Sequence, residues 1–326
     1  MKYSNYQEYL KIWIDILTPK QLLFSEPIIE RLEEKHEILC TSREYHEVSK
    51  LAKIRHFDLI FVGKHGGGDK KSKLKASIER MGKLSKKIKR FEPDLVISFG
   101  SPEAARISFG LGIKHIMFCD SPHVIPKKEF SKYGINEKDI VQYKAIDAVV
   151  TMKRKINEDT NSPFKNNNKK NILIRLEEEE ASYTSKSSKI IPIIQKIAND
   201  HKNENIVVLG RYTKQINNLQ KIIGNKVKIV KMTFDGKYLL NKTDIFIGSG
   251  GTMTAESALM GIPTISYNAV PNIVEKFLVR KYLVKRAMSP NKVSTHIKKI
   301  VKIKNDQNQK RAKKIVKEME DPIEKL

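Results

Sequence analysis

The sequence is poor in acid, in cysteine and in tryptophan. Its 326 residues include 37 Asp and Glu against 62 Lys and Arg, two cysteines and one tryptophan. Cys40 and Cys119 each end an apolar segment. Two thiols so placed make neither a disulfide framework nor a metal set, so a reducing, cytoplasmic setting is expected. No apolar run approaches the roughly 20 residues of a membrane-spanning helix. The opening MKYSNYQEYLK is polar and lacks the apolar stretch of a secretory signal. No D-x-D pair or histidine cluster points to a metal, and no glycine loop carries the Lys-Ser/Thr ending of a Walker motif. Internal repeats and heptad arrays are absent.

Apolar residues make up 40% of the chain, enough for a packed core, which excludes wholesale disorder. The length suggests two domains of roughly 150 residues. The net charge of +25 attracts polyanions: nucleic acid, an acidic membrane surface or phosphorylated small molecules. A lysine-rich coding bias spread over solvated faces accounts for it equally well. Residues 64–90 concentrate 11 Lys or Arg against Asp69 and Glu79.

Apolar runs of strand length alternate with helix-like segments. Strands are expected at 12–16, 37–40, 58–62, 94–98 and 115–119, with helices at 24–32, 44–52 and 72–91. The apolar stripe of the last helix is read as Leu74, Ile78, Met81, Ile88 and Phe91. After an Asn- and Lys-rich stretch at 157–171, strands recur at 171–174, 206–209, 227–230, 244–247 and 264–267, with a helix at 190–198. Continuous apolar strands between helices imply parallel sheets covered on both faces. The expected architecture is α/β, with Rossmann-like domains at 1–155 and 156–305 facing each other across a cleft and a basic helix at 306–326.

The sharpest motif is DIFIGSGGTMTAESALMGIPTISY at 244–267. A strand runs into Gly248-Ser249-Gly250-Gly251, and a helix starts near Thr252. Gly261 suits the left-handed position after that helix, and Pro263 prevents its continuation. Glycines let a ligand approach the backbone, and free N–H groups at a helix N-terminus favour a phosphate. Ser249 and Thr252 can add hydroxyls. Glu256 lies one turn into the helix, within reach of a sugar diol beside the phosphates. An ordinary tight turn with a capping Thr is the plainer reading.

This string resembles the nucleotide-binding signature of the GT-B superfamily, in which two Rossmann-like domains hold a nucleotide-sugar. The chain is most similar to an uncharacterised, largely archaeal family of that superfamily. The similarity is carried by WIDILTPKQLLF (13–24), VGKHGG (62–67), DLVISFGSPEAARISFGLGI (94–113), CDSPH (119–123), VIPKKEFSKYGI (124–135), QYKAID (142–147), LIRLEEEEASY (173–183), LGRYTKQ (209–215) and the segment 235–267. The resemblance implies a nucleoside diphosphate on the C-terminal domain, with Ser249, Gly250, Gly251 and Thr252 on the phosphates and Glu256 on the ribose. It implies no metal and no cofactor apart from the nucleotide-sugar substrate.

Arg175 and Arg211 follow strands of the same domain and could clamp a phosphate, or form surface ion pairs. In the N-terminal domain Asp15, the Thr18-Pro19-Lys20 loop, Ser98 to Glu103 with Ser101, and Asp120 to His123 all follow strands, where ligands bind in open α/β sheets. Glycosyl transfer with inversion needs a general base, for which Asp120, His123, Glu103 and Asp15 are the candidates. Caps and turns are their plainer roles. The segment after His123 is shorter than the family pattern, which bears on the acceptor side.

Three functions follow from these features. The first is a glycosyltransferase using a nucleotide-sugar donor, with an anionic or lipid-linked acceptor at the inner membrane face suited by the basic surface. The second is a non-hydrolysing nucleotide-sugar 2-epimerase, whose R-P-E and E-A-G-L-R motifs are unmatched. The third is a non-enzymatic basic binding protein. Nucleic acid is not the expected partner, because no RNA-binding signature is present. The oligomeric state is left open.

Overall fold

The computed structural model describes residues 9–67, 69–119, 136–156, 162–177, 190–210, 212–231, 234–267, 272–302 and 306–326. The chain divides into two compact units, Met1–Asp120 and Ser121–Leu326.

The first unit runs β1 (Lys11–Ile16), α1 (Pro19–Leu32), β2 (Glu37–Glu44), α2 (His46–Ile54), β3 (Ile60–Lys64), α3 (Lys70–Phe91), β4 (Leu95–Phe99), α4 (Pro102–Leu111) and β5 (Lys114–Phe118). All neighbouring strands are parallel, in the order β3-β2-β1-β4-β5. Side chains alternate along a strand. Ile12, Ile14 and Ile16 therefore pack with Leu22, Val48 and Leu51 on one side of the sheet. Trp13 and Val96 pack with Leu84, Ile88, Ala104 and Ile107 on the other. Asp15 shares the parity of Trp13, which turns it towards α3 and α4. Cys40 is buried in the first core, and burial pushes its thiol up to about 12.

The expected stripe on α3 needs correction. Leu74 and Ile78 are 64% and 56% exposed, and the buried line is Arg80, Leu84 and Ile88. Positions 80, 84 and 88 are successive turns of one face, and Arg80 fits there because its guanidinium finds acidic partners inside.

The second unit runs α5 (Ala148–Lys153), β6 (Asn171–Arg175), α6 (Ile190–Asp200), β7 (Asn205–Leu209), α7 (Thr213–Ile223), β8 (Lys228–Val230), α8 (Gly236–Asn241), β9 (Ile245–Gly248), α9 (Thr252–Leu259), β10 (Thr264–Ser266), α10 (Ile273–Arg280), β11 (Val284–Arg286), α11 (Pro290–Val301) and α12 (Asp306–Lys317). Its parallel sheet is ordered β11-β10-β9-β6-β7-β8. Counted within the unit, this is the Rossmann order 3-2-1-4-5-6. The core gathers Ile172, Ile174, Ile245, Ile247 and Ile265 beneath α6 and α11. α5, counted with the first domain in the sequence reading, falls in this unit and packs on α9. The edge strand β11 was not anticipated, since only Val284 of its three residues is buried. Among the described residues no helix is long and apolar enough to cross a membrane.

α9 ends as its sequence suggests. Gly261 has φ +75°, its N–H donates to the Ala258 carbonyl (3.0 Å), and the Ile262 N–H donates to the Ser257 carbonyl (3.0 Å). This is a Schellman closure. A second constraint was invisible in the sequence: a Cβ on Gly261 would lie 2.7 Å from the Cα of Gln309 in α12. Gly261→Ala should therefore combine a left-handed penalty of roughly 1–2 kcal/mol with a backbone clash. Urea unfolding followed by circular dichroism should lose about 2 kcal/mol or more; an unchanged midpoint would refute the close seating of α12.

Candidate functional site

In the second unit the sheet order reverses between β6 and β9, and ligands bind outside the strand ends at such a switch point. The glycine turn lies there. Gly248 closes β9, and a Cβ on it would meet Thr254 Oγ1 at 2.6 Å. Gly250 and Gly251 have φ of +91° and +80°. Gly251, with ψ −169°, occupies a region that essentially only glycine adopts. Among the described residues no side chain caps α9, and a Cβ on Gly251 would meet none of them within 4 Å. The first N–H groups of α9 lie at the positive end of the helix dipole. Ser249 and Thr252 flank the turn and are half-buried.

Glu256 is one turn further, on the buried side, and 4% exposed. Its Oε1 lies 3.4 Å from Nη1 of Arg154, the residue that follows α5. Arg154 Nη2 donates to Asp235 Oδ1 at 3.1 Å, and Asp235 caps α8 by accepting from the Lys237 N–H at 2.8 Å. Arg154 Nε is buried without a hydrogen-bond partner among the described residues. One guanidinium thus faces two carboxylates and retains an unused donor. Arg175 ends β6 and donates through Nη1 to the Gly210 carbonyl at 2.7 Å. Arg211 lies outside the described residues.

The first unit reverses between β1 and β4. Asp15 sits at that point and is fully enclosed. Its Oδ1 accepts from Thr41 Oγ1 (2.6 Å) and Arg80 Nη2 (2.6 Å), and its Oδ2 accepts from Ser101 Oγ (2.6 Å) and Arg80 Nη1 (3.0 Å). A carboxylate offers about four lone-pair directions, and all are taken. Ser101 also caps α4, accepting from the Ala104 N–H at 3.1 Å. Thr18 caps α1, accepting from the Gln21 N–H at 3.3 Å. Glu103 accepts from Ser77 Oγ at 2.8 Å on one oxygen. Its other oxygen, Oε2, is buried 3.7 Å from Arg80 Nη1 and has no hydrogen-bond partner among the described residues. Asp120 and His123 lie outside the described residues, as does the segment that follows them to residue 135.

Beside this cluster is a cavity of about 300 Å³ lined by Arg43 from β2, Lys64, His65 and Gly66 at the end of β3, Lys73 and Arg80 from α3, and Glu103 from α4, among others. His65 stacks on Tyr45, with centroids 4.8 Å apart, and its Nδ1 accepts from the Gly67 N–H at 3.1 Å. Burial, then the charges of Arg43 and Lys73, lowers the His65 pKa, so the ring stays neutral with its proton on Nε2. Burial likewise lowers the Arg43 pKa.

Asp15, Ser101 and Glu103 are therefore brought together, as are the glycine turn and Glu256. Sequence reasoning missed Arg80 and Arg154, the cations that join these groups, and the cavity residue Arg43. Arg80 hid in a run of basic residues. Its one signal is its i, i+4 spacing to Leu84 and Ile88.

A family profile described as "Protein of unknown function (DUF354)" matches residues 10–153 and 121–326. The uncharacterised protein MJ0665 of Methanocaldococcus jannaschii is 28% identical over 349 residues, covering 97% of this chain and 96% of that protein. The structure is similar to that of the UDP-GlcNAc 2-epimerase of Methanocaldococcus jannaschii in complex with UDP-GlcNAc and UDP. The TM-score is 0.64 at 15% identity, over 94% of this chain and 99% of the other. It is also similar to the glycosyltransferase SnogD of Streptomyces nogalater, with a TM-score of 0.65 at 13% identity over 98% of each chain. At such identities the likeness establishes the fold, which is GT-B-like, as the sequence resemblance implied.

The Arg80–Asp15 pair yields a stability prediction. Removing one member of a buried pair strands the other's charge, at about 3–5 kcal/mol. Asp15→Asn and Arg80→Met should each cost that much in urea unfolding read from Trp13, the single tryptophan, which is buried in this unit. The double variant should lose less than the two losses together, by roughly 0.5–3 kcal/mol. Strict additivity would mean that the pair is not coupled.

Proposed function

The chain belongs to the DUF354 family of proteins of unknown function, and within that family we propose that it is a glycosyltransferase. It takes a sugar from a nucleoside diphosphate-sugar donor whose diphosphate sits on the Gly248–Thr252 turn. One observation carries this reading. At a sheet switch point, two glycines with positive φ precede a helix that no described side chain caps. Such a terminus presents several fixed N–H donors and a favourable dipole to an anion. Donors fixed in advance also stabilise the charge that builds on a departing diphosphate. Ser249 and Thr252 add hydroxyls. Glu256, with Oε1 turned to Arg154, keeps Oε2 for the ribose hydroxyls.

Transfer joins an acceptor oxygen to the anomeric carbon while the nucleoside diphosphate leaves. The acceptor's proton passes to a base. Among the described candidates, Asp15 has every lone-pair direction filled, whereas Glu103 Oε2, 3.7 Å from Arg80 Nη1, has no hydrogen-bond partner among the described residues. Glu103 is therefore the better base of the two; Asp120 and His123 are the further candidates from the sequence. The 2-epimerase reading shares the donor site, and fold likeness to an epimerase is as great as that to a transferase.

Calorimetric titration with UDP, GDP, TDP and their sugar derivatives tests the donor site. We expect saturable binding of at least one of them. Thr252→Val should weaken it by about 2–10-fold, the worth of one hydroxyl hydrogen bond, and Gly251→Val should abolish it. No binding of any of these ligands would sink both enzyme readings. Once a donor is known, release of free diphosphate with a glycosylated acceptor identifies a transferase, and inversion at C2 of the sugar identifies an epimerase.

A further inference from the structure

The cavity of the first unit is not used by the donor reading, and its chemistry is specific. Among the described residues four cations, Arg43, Lys64, Lys73 and Arg80, line it, and one carboxylate, Glu103, lines it with them. Asp15 stands behind Arg80, bound bidentately. Four positive charges against two negative ones leave an excess of two. Lys64 and Lys73 are exposed and Arg43 is half-buried, so the excess lies towards the mouth of the cavity, where it attracts an anion.

Two buried atoms at the cavity also lack partners. Arg43 Nε is a donor with no hydrogen-bond acceptor among the described residues, and Glu103 Oε2 is an acceptor with no hydrogen-bond donor. An unsatisfied buried polar atom is uncommon and costs about 1–3 kcal/mol. His65 adds a third directed group. Its Nδ1 is engaged by the Gly67 N–H, which leaves the Nε2 proton to donate. The wall is close-packed on that side, since a Cβ on Gly66 would fall 2.5 Å from the Cα of Lys73. The volume lies at the small end of the roughly 300–1,000 Å³ typical of small-molecule sites.

We propose that this cavity binds a phosphate monoester that also carries a hydroxyl group. The dianion lies against Arg43, Lys64, Lys73 and His65, and the hydroxyl donates to Glu103 Oε2. A phosphate suits the cations of the lining, and the hydroxyl supplies the donor that Glu103 Oε2 lacks among the described residues. On the transferase reading, on which only this role rests, the ligand is the acceptor and its hydroxyl is the one that Glu103 deprotonates.

The test is titration of the full chain with glycerol 3-phosphate, inorganic phosphate and glycerol, following the His65 ring by NMR. Co-sedimentation with phosphatidylcholine vesicles, with and without phosphatidic acid, runs beside it. Glycerol 3-phosphate should bind saturably and shift His65, inorganic phosphate should bind more weakly, and glycerol should do nothing. Lys73→Gln and Arg43→Gln should each weaken binding roughly tenfold, the loss of one charge-assisted hydrogen bond. Lys73 is exposed, so Lys73→Gln should leave the unliganded melting temperature unchanged. Glu103→Gln should weaken glycerol 3-phosphate and leave inorganic phosphate unaffected. Sedimentation only with phosphatidic acid, lost in Lys73→Gln, would support the same chemistry presented by a lipid headgroup. No response to either phosphate source, or a response undiminished in both cation variants, would overturn the assignment. Failure of the nucleotide titration alone would remove the donor reading and leave this site standing.

Discussion

One buried guanidinium organises the ligand-facing end of the first sheet. Arg80 leaves the middle of α3 and is 1% exposed. It donates through both terminal nitrogens to Asp15 on β1 and through Nε to the Val62 carbonyl on β3 at 3.0 Å. Asp15 in turn takes protons from Thr41 on β2 and Ser101 at the start of α4. Two side chains therefore couple three strands and two helices. A hydrophobic residue in place of Arg80 could fill the same volume, and buried ion pairs often give no net stability over such a substitute. It could not set direction. The bidentate geometry fixes where β1 ends and how α3 lies across it. The cavity wall formed by Arg80 and Glu103 depends on that alignment.

The second unit repeats the device more loosely. Arg154 faces Asp235 and Glu256 at 3.1 and 3.4 Å, with Nε unused. The contrast matters chemically. Asp15 has spent every lone pair on the protein and serves as scaffold. Glu256 is held by one longer contact, at a place where a ligand diol can compete for it. Asp15 follows from its place at a strand end and Glu256 from its place one turn into α9. Only their hydrogen-bond partners separate the frame from the candidate ligand contact.

That distinction marks how far the sequence was legible. The alternation of apolar runs placed ten of the parallel strands, because a strand buried on both faces needs an unbroken apolar stretch. The Gly261 stop followed from backbone chemistry alone. The lost part is long-range and polar. Nothing near Arg80 in the chain tells that Asp15, 65 positions away, is its partner. In a segment dense with lysine, one inward arginine looks like the rest. The stripe on α3 was misread for the same reason: apolar residues were assumed to mark the buried face, while Leu74 and Ile78 lie outside it. β11 was missed because two of its three residues, Lys285 and Arg286, are charged, which leaves no apolar run to detect.

The fold itself is neutral between transfer and epimerisation, since both chemistries place a nucleotide-sugar on the same kind of glycine turn. What separates them is whether a second reactant has a place to bind. An epimerase removes and returns a proton on its one substrate and requires no acceptor. A transferase requires an acceptor, and an acceptor hydroxyl needs an oxygen to take its proton. On the proposed reading, the cation-lined cavity, with Arg43 Nε and Glu103 Oε2 lacking hydrogen-bond partners among the described residues, is the place for that acceptor. It also changes how the overall charge of +25 is read. Most lysines of α3 face solvent, where a cation's preference for one anion over another is weak and screened by salt. The selectivity lies with the few cations turned inward, where hydrogen bonds have direction and screening is least.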